Sequence, residues 1–476
     1  MKKTVYISTA LPYVNSVPHL GFALEIIQAD VYARCQRILD KEVFFLTGAD
    51  ENSLKNVRAA KEEGITTKEL VNRNAEKFSA LKKTLNLSFD DFIRTTENRH
   101  IKGAQRLWQA CLKDIYKKEY KGLYCVGCEG FYKESELVNG LCPEHETKPE
   151  LIEESNYFFK LTKYSKEIQE LIANDKVRII PESRKNEVLS FIKSGLEDIC
   201  ISRSAERAQG WGIPVPDDSS QIIWVWFDAL SNYINALDYA ENGQEFEKWW
   251  QQNNGDILHF IGKGILRFHA IYWLAMLISA GLNLPKTIFV HGYLAIGGQK
   301  MSKSLGNAAD PFKIVEEYGV DVVRYFLLRE FSSTEDGDFA LEKIKNRYNA
   351  DLANGLGNFA ARVLALRSQF SDTNVLKADN DIDKKIAETE KIVSRKLEDF
   401  KFNEALAAVW DLIAFGDKYL NQTQVWKIID LELKTQIIFN LVAILNSVAV
   451  ILSPFLPETS VKITQLKKGE ILFPRR

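Results

Sequence analysis

Near its start the chain alternates short apolar runs with a longer helical stretch. Strand-like runs cover residues 4–8 and 43–46, and a helix-like stretch covers about residues 21–39 between them. This strand–loop–helix–strand order predicts a doubly wound α/β domain with a parallel sheet. Ligands of such domains bind at the carboxyl ends of the strands. The residues expected on that rim are Tyr13, His19 and Asp50.

The pattern is interrupted and then resumes. From about residue 116 to residue 216 it changes to cysteine, glycine and charged turns, which indicates an inserted domain. Buried-strand patterns return at residues 222–227, 257–261 and 287–291, so the sheet is expected to continue. Beyond residue 350 the apolar spacing predicts a separate α-helical domain. Its predicted helices are residues 352–366, 384–397, 403–421 and 433–452.

The composition fits a soluble globular protein. A chain of 476 residues, 46% hydrophobic and 26% charged, is expected to form several domains with substantial cores. The net charge of −2 neither requires nor excludes a nucleic-acid partner. No apolar run approaches the roughly 18 residues of a membrane span, and the N-terminal apolar stretch is broken by polar residues and a proline. We therefore expect a cytoplasmic protein without a membrane anchor.

Two pairs of metal-ligating side chains stand close together in the interrupted region. Cys125 and Cys128 form one pair, and Cys142 and His145 form the other, each with two residues between its members. Three soft thiolates and one imidazole at this spacing can close a tetrahedral zinc site. With no open coordination position, this one Zn²⁺ is expected to be structural and to fold a module with little core of its own.

Two further motifs carry the chemistry of phosphate binding. His19 stands in the tripeptide His-Leu-Gly, and Lys-Met-Ser-Lys-Ser covers residues 300–304 between glycine-containing turns. The second motif places two ammonium groups and two hydroxyls on a hinged loop, which suits a triphosphate. Taken singly, an incidental histidine and a solvated basic loop are the alternatives; together the motifs favour a triphosphate ligand.

These motifs resemble the signature pair of the class I aminoacyl-tRNA synthetases, His-Ile-Gly-His and Lys-Met-Ser-Lys-Ser. The more specific likeness is to the methionyl-tRNA synthetase family, in its version with a single zinc knuckle. It extends over essentially the whole chain. The matching stretches are residues 10–15, 45–51, 156–159, 211–216, 225–230, 259–263, 290–307 and 326–338.

The resemblance implies a fold. A doubly wound, Rossmann-like catalytic domain with an inserted zinc-knuckle domain would be followed by an α-helical bundle that binds the anticodon. The implied domains are residues 1–115 (catalytic domain, first half), 116–220 (inserted connective domain with the knuckle), 221–295 (catalytic domain, second half), 296–348 (Lys-Met-Ser-Lys-Ser loop and stem-contact region) and 349–476 (anticodon-binding domain).

The resemblance also implies a reaction. ATP with Mg²⁺ would convert L-methionine to methionyl-adenylate and pyrophosphate, and the methionyl group would pass to the 2′-hydroxyl of the terminal adenosine of tRNA(Met). His19 would steady the α-phosphate, while Lys300 and Lys303 would neutralise the departing pyrophosphate. The implied ATP-binding residues are His19, Gly21, Glu25, Lys300, Met301, Ser302 and Lys303.

The amino-acid pocket and the anticodon site follow from the same resemblance. Asp50 is expected to pair with the substrate ammonium, and apolar and aromatic walls suit a flexible thioether. The implied methionine-binding residues are Leu11, Tyr13, Asp50, Trp226, Ala229, Tyr233, His269 and Tyr272. The implied anticodon-binding residues are Asn358, Arg362 and Trp426.

Three positions depart from the family pattern. Phe22 stands where the second signature histidine is expected, Gly264 replaces an aspartate near the ribose, and Val425 replaces a proline. Loss of one polar contact to ATP costs about 1–3 kcal/mol, which slows an enzyme without abolishing its activity. The alternatives are a catalytically weak or silent tRNA-binding paralogue, a class I synthetase for isoleucine, leucine, valine or cysteine, and a zinc-ribbon nucleic-acid-binding protein. Because the chain stops soon after the helical domain, we expect a monomer.

Overall fold

The computed structural model describes residues 2–127, 130–144, 146–300, 309–368, 377–465 and 469–476, and only the backbone of residues 120, 130, 299 and 300. The chain divides into two compact units. The first unit consists of residues 1–18, 36–82 and 88–291. The second unit consists of residues 19–35, 83–87 and 292–476. Neither unit is therefore a continuous stretch of sequence.

Short strands and longer helices alternate along the chain. In chain order the strands are β1 (Thr4–Thr9), β2 (Glu42–Ala49), β3 (Asp91–Arg94), β4 (Ile115–Cys125), β5 (Gly130–Tyr132), β6 (Glu150–Phe159), β7 (Arg178–Ile180), β8 (Ile199–Cys200), β9 (Ser202–Ser204), β10 (Pro214–Val215), β11 (Asp218–Ile223), β12 (Asp256–Gly262), β13 (Thr287–His291), β14 (Leu294–Ile296), β15 (Gln299–Lys300) and β16 (Gly337–Asp338).

The helices follow the same order. The α-helices are α1 (Leu20–Ile38), α2 (Leu54–Glu63), α3 (Thr67–Thr84), α4 (Asn98–Ala110), α5 (Ser165–Ala173), α6 (Glu182–Lys193), α7 (Val225–Leu230), α8 (Asn232–Asn235), α9 (Gln244–Phe246), α10 (Leu274–Ala280), α11 (Pro311–Tyr318), α12 (Val320–Glu330), α13 (Leu341–Arg347), α14 (Asn358–Arg367), α15 (Asn380–Glu398), α16 (Phe402–Thr423), α17 (Leu431–Leu452) and α18 (Pro457–Gln465). Segments of π-helix cover Glu247–Gln251, Phe268–Trp273 and Tyr348–Gly357. Single 3₁₀ turns cover Leu112–Asp114, Glu134–Glu136, Leu161–Tyr164, Tyr239–Glu241, Lys263–Ile265 and Val425–Lys427.

The first unit is built around a parallel sheet with the strand order β3-β2-β1-β12-β13-β7. β1 lies between β2 and β12, and Ile7 stands opposite Phe45 and Leu258. All six residues of β1 are buried, as in a strand covered on both faces. The strands predicted at residues 4–8, 43–46, 257–261 and 287–291 and the helix predicted at about residues 21–39 are therefore confirmed.

The apolar run over residues 222–227 is not a single buried strand, so that prediction is wrong. β11 ends at Ile223 and pairs antiparallel with β9 and β10, outside the parallel sheet. α7 begins at Val225, and the carbonyl of the extended residue Trp224 accepts the N–H of Asp228 at 3.0 Å. A short run that is apolar on every side fits a strand and a buried helix equally well, so its periodicity could not separate them.

The stretch predicted as an insertion forms an antiparallel sheet with the order β5-β4-β6-β8. Its long pair is β4 with β6, in which Ile115 stands opposite Phe159. The same stretch also returns β7 to the parallel sheet, where Ile180 pairs with Phe289 of β13. The sequence did not predict that β7 belongs to the parallel sheet, because a strand of three residues is too short to show a periodic pattern.

The second unit is mainly helical, and the four helices predicted beyond residue 350 are confirmed as parts of this bundle. α17 packs against α14, α15, α16 and α18. By length and composition alone α17 could cross a membrane, and half of its most apolar stretch is buried inside the protein. The buried side, which includes Leu441 and Val448, places α17 as the core helix of the bundle, and core helices pass the same test.

Arg324 of α12 is fully buried and connects three parts of the second unit. Its guanidinium donates to the carboxylate of Asp30 on α1 at 2.7 Å. It also donates to the carbonyls of Pro454 at 3.0 Å and Phe455 at 2.8 Å, just after α17, and to the carbonyl of Leu85 at 3.0 Å. Because a buried guanidinium must satisfy its donors, α1, α12 and the end of α17 are held together at this point.

Replacing Asp30 with alanine should destabilise the second unit by about 3–5 kcal/mol, because Arg324 would remain buried without its carboxylate. Denaturant unfolding followed by circular dichroism measures the loss. Lys462→Ala is the matched control, since it breaks an exposed pair with Glu458 in the same unit and should have no measurable effect. Equal stability of the two variants would contradict the assigned role of Arg324.

Candidate active site

A carboxylate and an aromatic ring lie together just beyond the ends of β1 and β2. The N–H of Asp50 donates to the carbonyl of Pro12 at 2.9 Å, and the N–H of Val14 donates to the carbonyl of Asp50 at 3.3 Å. Tyr13 and Asp50 thus form a parallel bridge that extends the sheet by one step. Asp50 is only 2% exposed, so its carboxylate is largely removed from bulk water.

The conformation of Asp50 is fixed by its neighbours. Its Oδ1 accepts the N–H of Asn52 at 3.2 Å, and its carbonyl also accepts the side-chain amide of Asn56 at 3.3 Å. The ammonium of Lys55 lies 4.5 Å from the centre of the Tyr13 ring. A buried carboxylate held in this way is suited to receive a cationic group of a ligand.

An aromatic wall stands beside this carboxylate. Trp226 stacks on Phe268 with ring centres 3.8 Å apart and planes 4° apart. The Tyr13 ring approaches Trp226 edge-on at 6.5 Å, as does the His269 ring. Trp226 Nε1 is buried and has no hydrogen-bond partner among the described residues. Ala229, also buried, follows three residues later on the same face of α7.

His269, whose ring lies edge-on to Trp226, is a buried histidine held in one tautomer. His269 Nδ1 lies 2.9 Å from the carbonyl of Ile265, which can only accept, so Nδ1 carries the proton. Its Nε2 therefore accepts the hydroxyl of Tyr233 at 2.7 Å. Burial lowers the pKa of His269 to about 4, and the bond to Ile265 opposes this shift. The imidazole is consequently neutral near pH 7.

A second buried histidine lies beside Tyr233. The ring centre of His259 is 4.2 Å from that of Tyr233, and its Nδ1 is 2.6 Å from the hydroxyl of Ser8. Burial, and secondly the neighbouring His269, hold the pKa of His259 well below its usual value. Burial also raises the pKa of Tyr272 to about 12. These rings therefore act as uncharged surfaces.

Five of the predicted methionine-binding residues are joined by direct contacts: ring contacts link Tyr13, Trp226, His269 and Tyr233, and Tyr13 pairs with Asp50. Leu11 and Tyr272 pack as partly buried side chains against the same core. Phe268 is a further residue of this group that was not predicted from the sequence, although it directly precedes His269; its ring centre lies 5.4 Å from that of Tyr272. A polarizable apolar cavity wall with one buried carboxylate suits an amino acid with a thioether side chain.

His19 belongs to the second unit and directly precedes α1. The N–H of Gly21 donates to His19 Nδ1 at 3.0 Å, so the proton of a neutral ring lies on Nε2. A Cβ at residue 21 would lie 2.8 Å from His19 Cε1, which explains the glycine. Glu25 is buried on the same face of α1, one turn after Gly21. An imidazole donor at a helix N-terminus is suited to a phosphate oxygen.

Comparison with known proteins agrees with these features. A family model described as "tRNA synthetases class I (M)" matches residues 5–150 and 145–364, and one described as "Anticodon-binding domain of tRNA ligase" matches residues 379–474. The methionine–tRNA ligase of Caldanaerobacter subterraneus subsp. tengcongensis is 40% identical over 100% of this chain and 79% of its own length. That of Brucella suis is 41% identical over 98% of this chain and 92% of its own length.

The chain belongs to the methionyl-tRNA synthetase family. Among solved structures, Mycobacterium tuberculosis methionyl-tRNA synthetase in complex with methionyl-adenylate matches with a TM-score of 0.91 and 38% identity, covering 98% of this chain and 94% of that one. The predicted class I fold, with its parallel-sheet catalytic domain and helical anticodon-binding domain, is thereby confirmed.

The second signature motif of the family is only partly described. Lys300 ends β15, and its backbone pairs with Ala295 of β14. The turn between these strands is made by Gly297 and Gly298, with φ of 60° and 76°, values that glycine adopts without strain. The remaining predicted ATP-binding residues of this motif, Met301, Ser302 and Lys303, lie outside the described residues.

Two of the four predicted zinc ligands lie within the described residues. Cys125 at the end of β4 and Cys142 are both buried, at 1% and 0% exposure. Cys142 sits in a tight turn, since its carbonyl accepts the N–H of Glu146 at 2.8 Å. Cys128 and His145 lie outside the described residues, and among those described no group of three metal-ligating side chains is found. Two buried thiols at turns fit half of a structural zinc knuckle.

The predicted anticodon residues lie at the surface of the helical bundle. Arg362 of α14 donates to the side chains of Asp417 and Asn421 on α16, the latter at 2.6 Å. Asn358 is exposed one turn earlier on α14. Trp426, just after α16, has 53% of its surface exposed. Exposed aromatic and amide groups are the types that stack on and pair with unstacked bases.

The buried His269 predicts a pH dependence of stability. Because its pKa is about 4 in the folded protein and about 6.5 in the unfolded chain, the unfolded state binds more protons between these values. The histidine therefore destabilises the fold as pH falls from 6.5 to 4, by about 3 kcal/mol in total. His269→Asn keeps a donor for the Ile265 carbonyl and removes the titration.

The measurement compares unfolding free energies of the wild type and His269→Asn across this pH range. The free energy of unfolding of the wild type should fall relative to that of the variant as the pH falls. His259 and the carboxyl groups titrate in both proteins, so their contributions cancel in the difference. A difference that stays constant with pH would contradict a neutral, buried His269.

Proposed function

We propose that this protein is a methionine–tRNA ligase that makes methionyl-adenylate from L-methionine and ATP and then methionyl-tRNA(Met), for initiation and elongation of translation. The observation that carries the proposal is the buried Asp50 carboxylate beside the Tyr13, Trp226 and Phe268 rings. This combination complements a substrate with an ammonium at one end and a polarizable apolar chain at the other.

In the first step Asp50 binds the substrate ammonium, and the aromatic wall takes the thioether chain. A carboxylate oxygen of methionine attacks the α-phosphorus of ATP, and the bond to the bridging oxygen of the β-phosphate breaks. Pyrophosphate leaves with that electron pair. His19 Nε2–H donates to a non-bridging oxygen of the α-phosphate, while Lys300 and Lys303 neutralise the leaving group. Mg²⁺ bound with ATP supplies further charge neutralisation.

In the second step the 2′-hydroxyl of the terminal adenosine of tRNA(Met) attacks the carbonyl carbon of the adenylate. The new ester bond forms as the bond between the carbonyl carbon and the phosphate oxygen breaks, AMP leaves with that electron pair, and the proton of the hydroxyl passes to water. Asn358, Arg362 and Trp426 contribute to recognition of the anticodon, where Trp426 offers an exposed stacking surface. The domain boundaries predicted from the sequence, with β7 assigned to the parallel sheet of the catalytic domain, are part of the same proposal, as are a monomeric state and a cytoplasmic location.

One structural zinc completes the proposal. Cys125, Cys128, Cys142 and His145 would hold it, and the two described cysteines are buried at turns as such ligands require. The zinc would fix the tip of the β4–β5 hairpin, a small module with few apolar side chains.

Pyrophosphate exchange tests the activity. Labelled pyrophosphate should enter ATP in the presence of methionine, and not with isoleucine, leucine, valine or cysteine. Asp50→Asn should raise the KM for methionine by roughly 10- to 150-fold, because the ammonium loses a charged partner of about 1.5–3 kcal/mol. Exchange with another of these amino acids would instead identify a class I synthetase specific for that amino acid. No exchange from folded protein would favour the silent tRNA-binding paralogue.

Metal analysis tests the knuckle. The purified protein should contain about one zinc per chain, and Cys142→Ser should lose most of it, because serine does not supply a thiolate. Cys200→Ser is the matched control, since Cys200 lies in β8 outside the knuckle, and should keep its zinc. Equal zinc contents in the two variants would contradict the assignment.

A further inference from the structure

A second carboxylate lies behind the aromatic wall. Asp228 is on α7, two residues after Trp226, and it is 1% exposed. Because residues two apart point to different sides of a helix, Asp228 faces away from the Trp226 ring. One carboxylate oxygen accepts the side-chain amide of Asn52 at 2.8 Å, and the other lies 2.5 Å from His100 Nε2. No step of the proposed reaction uses this residue.

The orientation of the Asn52 side chain follows from its partners. Its Nδ2 lies 2.8 Å from the carboxylate of Asp228 and 3.1 Å from the carbonyl of Thr95. Both partners can only accept hydrogen bonds, so the amide NH₂ group must face them. Asn52 is thereby held from two sides. Its backbone N–H is the group that donates to Asp50 Oδ1 at 3.2 Å.

The other side of Asp228 is equally determined. His100 on α4 is fully buried, and its Nδ1 lies 3.4 Å from the amide NH₂ of Asn235 on α8. The Asp228 carboxylate can only accept, so the His100 proton lies on Nε2 and is directed at Asp228, while the Asn235 NH₂ group also donates to the backbone carbonyl of His100 at 3.2 Å. Asn235 is itself held, because it also donates to the hydroxyl of Ser231 at 2.7 Å. Asp228 is therefore held by His100 of α4, independently of its contact with Asn52.

We propose that Asp228 is a positioning residue that acts through Asn52 to set the Asp50 carboxylate for the substrate ammonium. The route is short: Asp228 fixes the Asn52 side chain, and the Asn52 N–H fixes Asp50 Oδ1. Since Asp228 shares α7 with Trp226 and Ala229, it also ties the carboxylate to the wall that receives the apolar chain. This inference rests on the proposed function, in which Asp50 binds the ammonium of methionine.

Two substitutions interrupt the route at different points. Asp228→Asn keeps the shape, but His100 and Asn52 donate to different carboxylate oxygens, and an amide replaces one of these with a donating NH₂ group. Asn52→Ala removes the partly exposed link and leaves Asp228 with His100, so it remains informative if Asp228→Asn fails to fold. Each should raise the KM for methionine about 10- to 100-fold in pyrophosphate exchange, while the KM for ATP stays within about twofold.

The double variant separates a shared route from two independent losses. If both residues act on Asp50 through one chain of contacts, Asp228→Asn combined with Asn52→Ala should raise the methionine KM little more than the stronger single change. Multiplied effects would mean that the residues act separately and would overturn the proposal.

Two methionine analogues make the test specific for the ammonium. Methioninol keeps the ammonium and cannot be activated, whereas γ-methylthiobutyrate keeps the thioether chain and lacks the ammonium. In both single variants the inhibition constant of methioninol should rise by the same factor as the methionine KM, and that of γ-methylthiobutyrate should not change. Equal weakening of both analogues would show general damage to the pocket and would overturn the proposal.

Asp114→Asn is the matched control. Asp114 is also 1% exposed in the first unit, but its carboxylate accepts from Ser279 at 2.7 Å and from Lys163 at 2.6 Å, neither of them a pocket residue. It should lower the melting temperature without raising the methionine KM. Unchanged methionine KM in folded Asp228→Asn and Asn52→Ala would overturn this inference alone. Absence of methionine-dependent exchange in the wild type would instead overturn the proposed function, and this inference with it.

Discussion

The pocket depends on parallel pairing that continues past the ends of β1 and β2. Backbone N–H and carbonyl groups buried at a sheet edge must find partners, and here Pro12, Val14 and Asp50 supply them to one another. This backbone pairing by itself places the Tyr13 ring beside the Asp50 carboxylate. The stacked Trp226 and Phe268 rings then pack next to the Tyr13 ring, whose position the backbone pairing has fixed. An amino acid that is charged at one end and apolar along its chain is complementary to that arrangement.

Burial controls the charges around this pocket. It lowers the pKa of His269 and His259 and raises that of Tyr272, so each ring is uncharged near neutral pH. The carboxylates of Asp50 and Asp228 are instead held by N–H donors, which compensate for their removal from water. The site therefore combines neutral rings, which do not repel a substrate ammonium, with oriented acceptors that can bind it.

In the second unit, too, a buried polar group is stabilised by hydrogen-bond partners from several helices. Arg324 satisfies its buried donors on Asp30 and on carbonyls at the end of α17, which anchors the helix that His19 precedes. His19 in turn takes its tautomer from the Gly21 N–H, so the proton of its neutral ring lies on Nε2. α17, although apolar enough for a membrane span, is a core helix because the neighbouring helices cover it.

Much of the fold and of the site could be predicted because its signals are local. Apolar runs of ordinary length indicated the central strands and the long helices, and short motifs indicated the family and thereby the residues of the pocket. The run at residues 222–227 and the short strand β7 were misread or missed, since neither carries a distinct period. Asn52 and Asp228 stand 176 residues apart, and no local pattern connects them. The sequence by itself determined the family and its chemistry; the tertiary structure decided which tautomers, donors and buried carboxylates meet, because those depend on distances between side chains from separate elements.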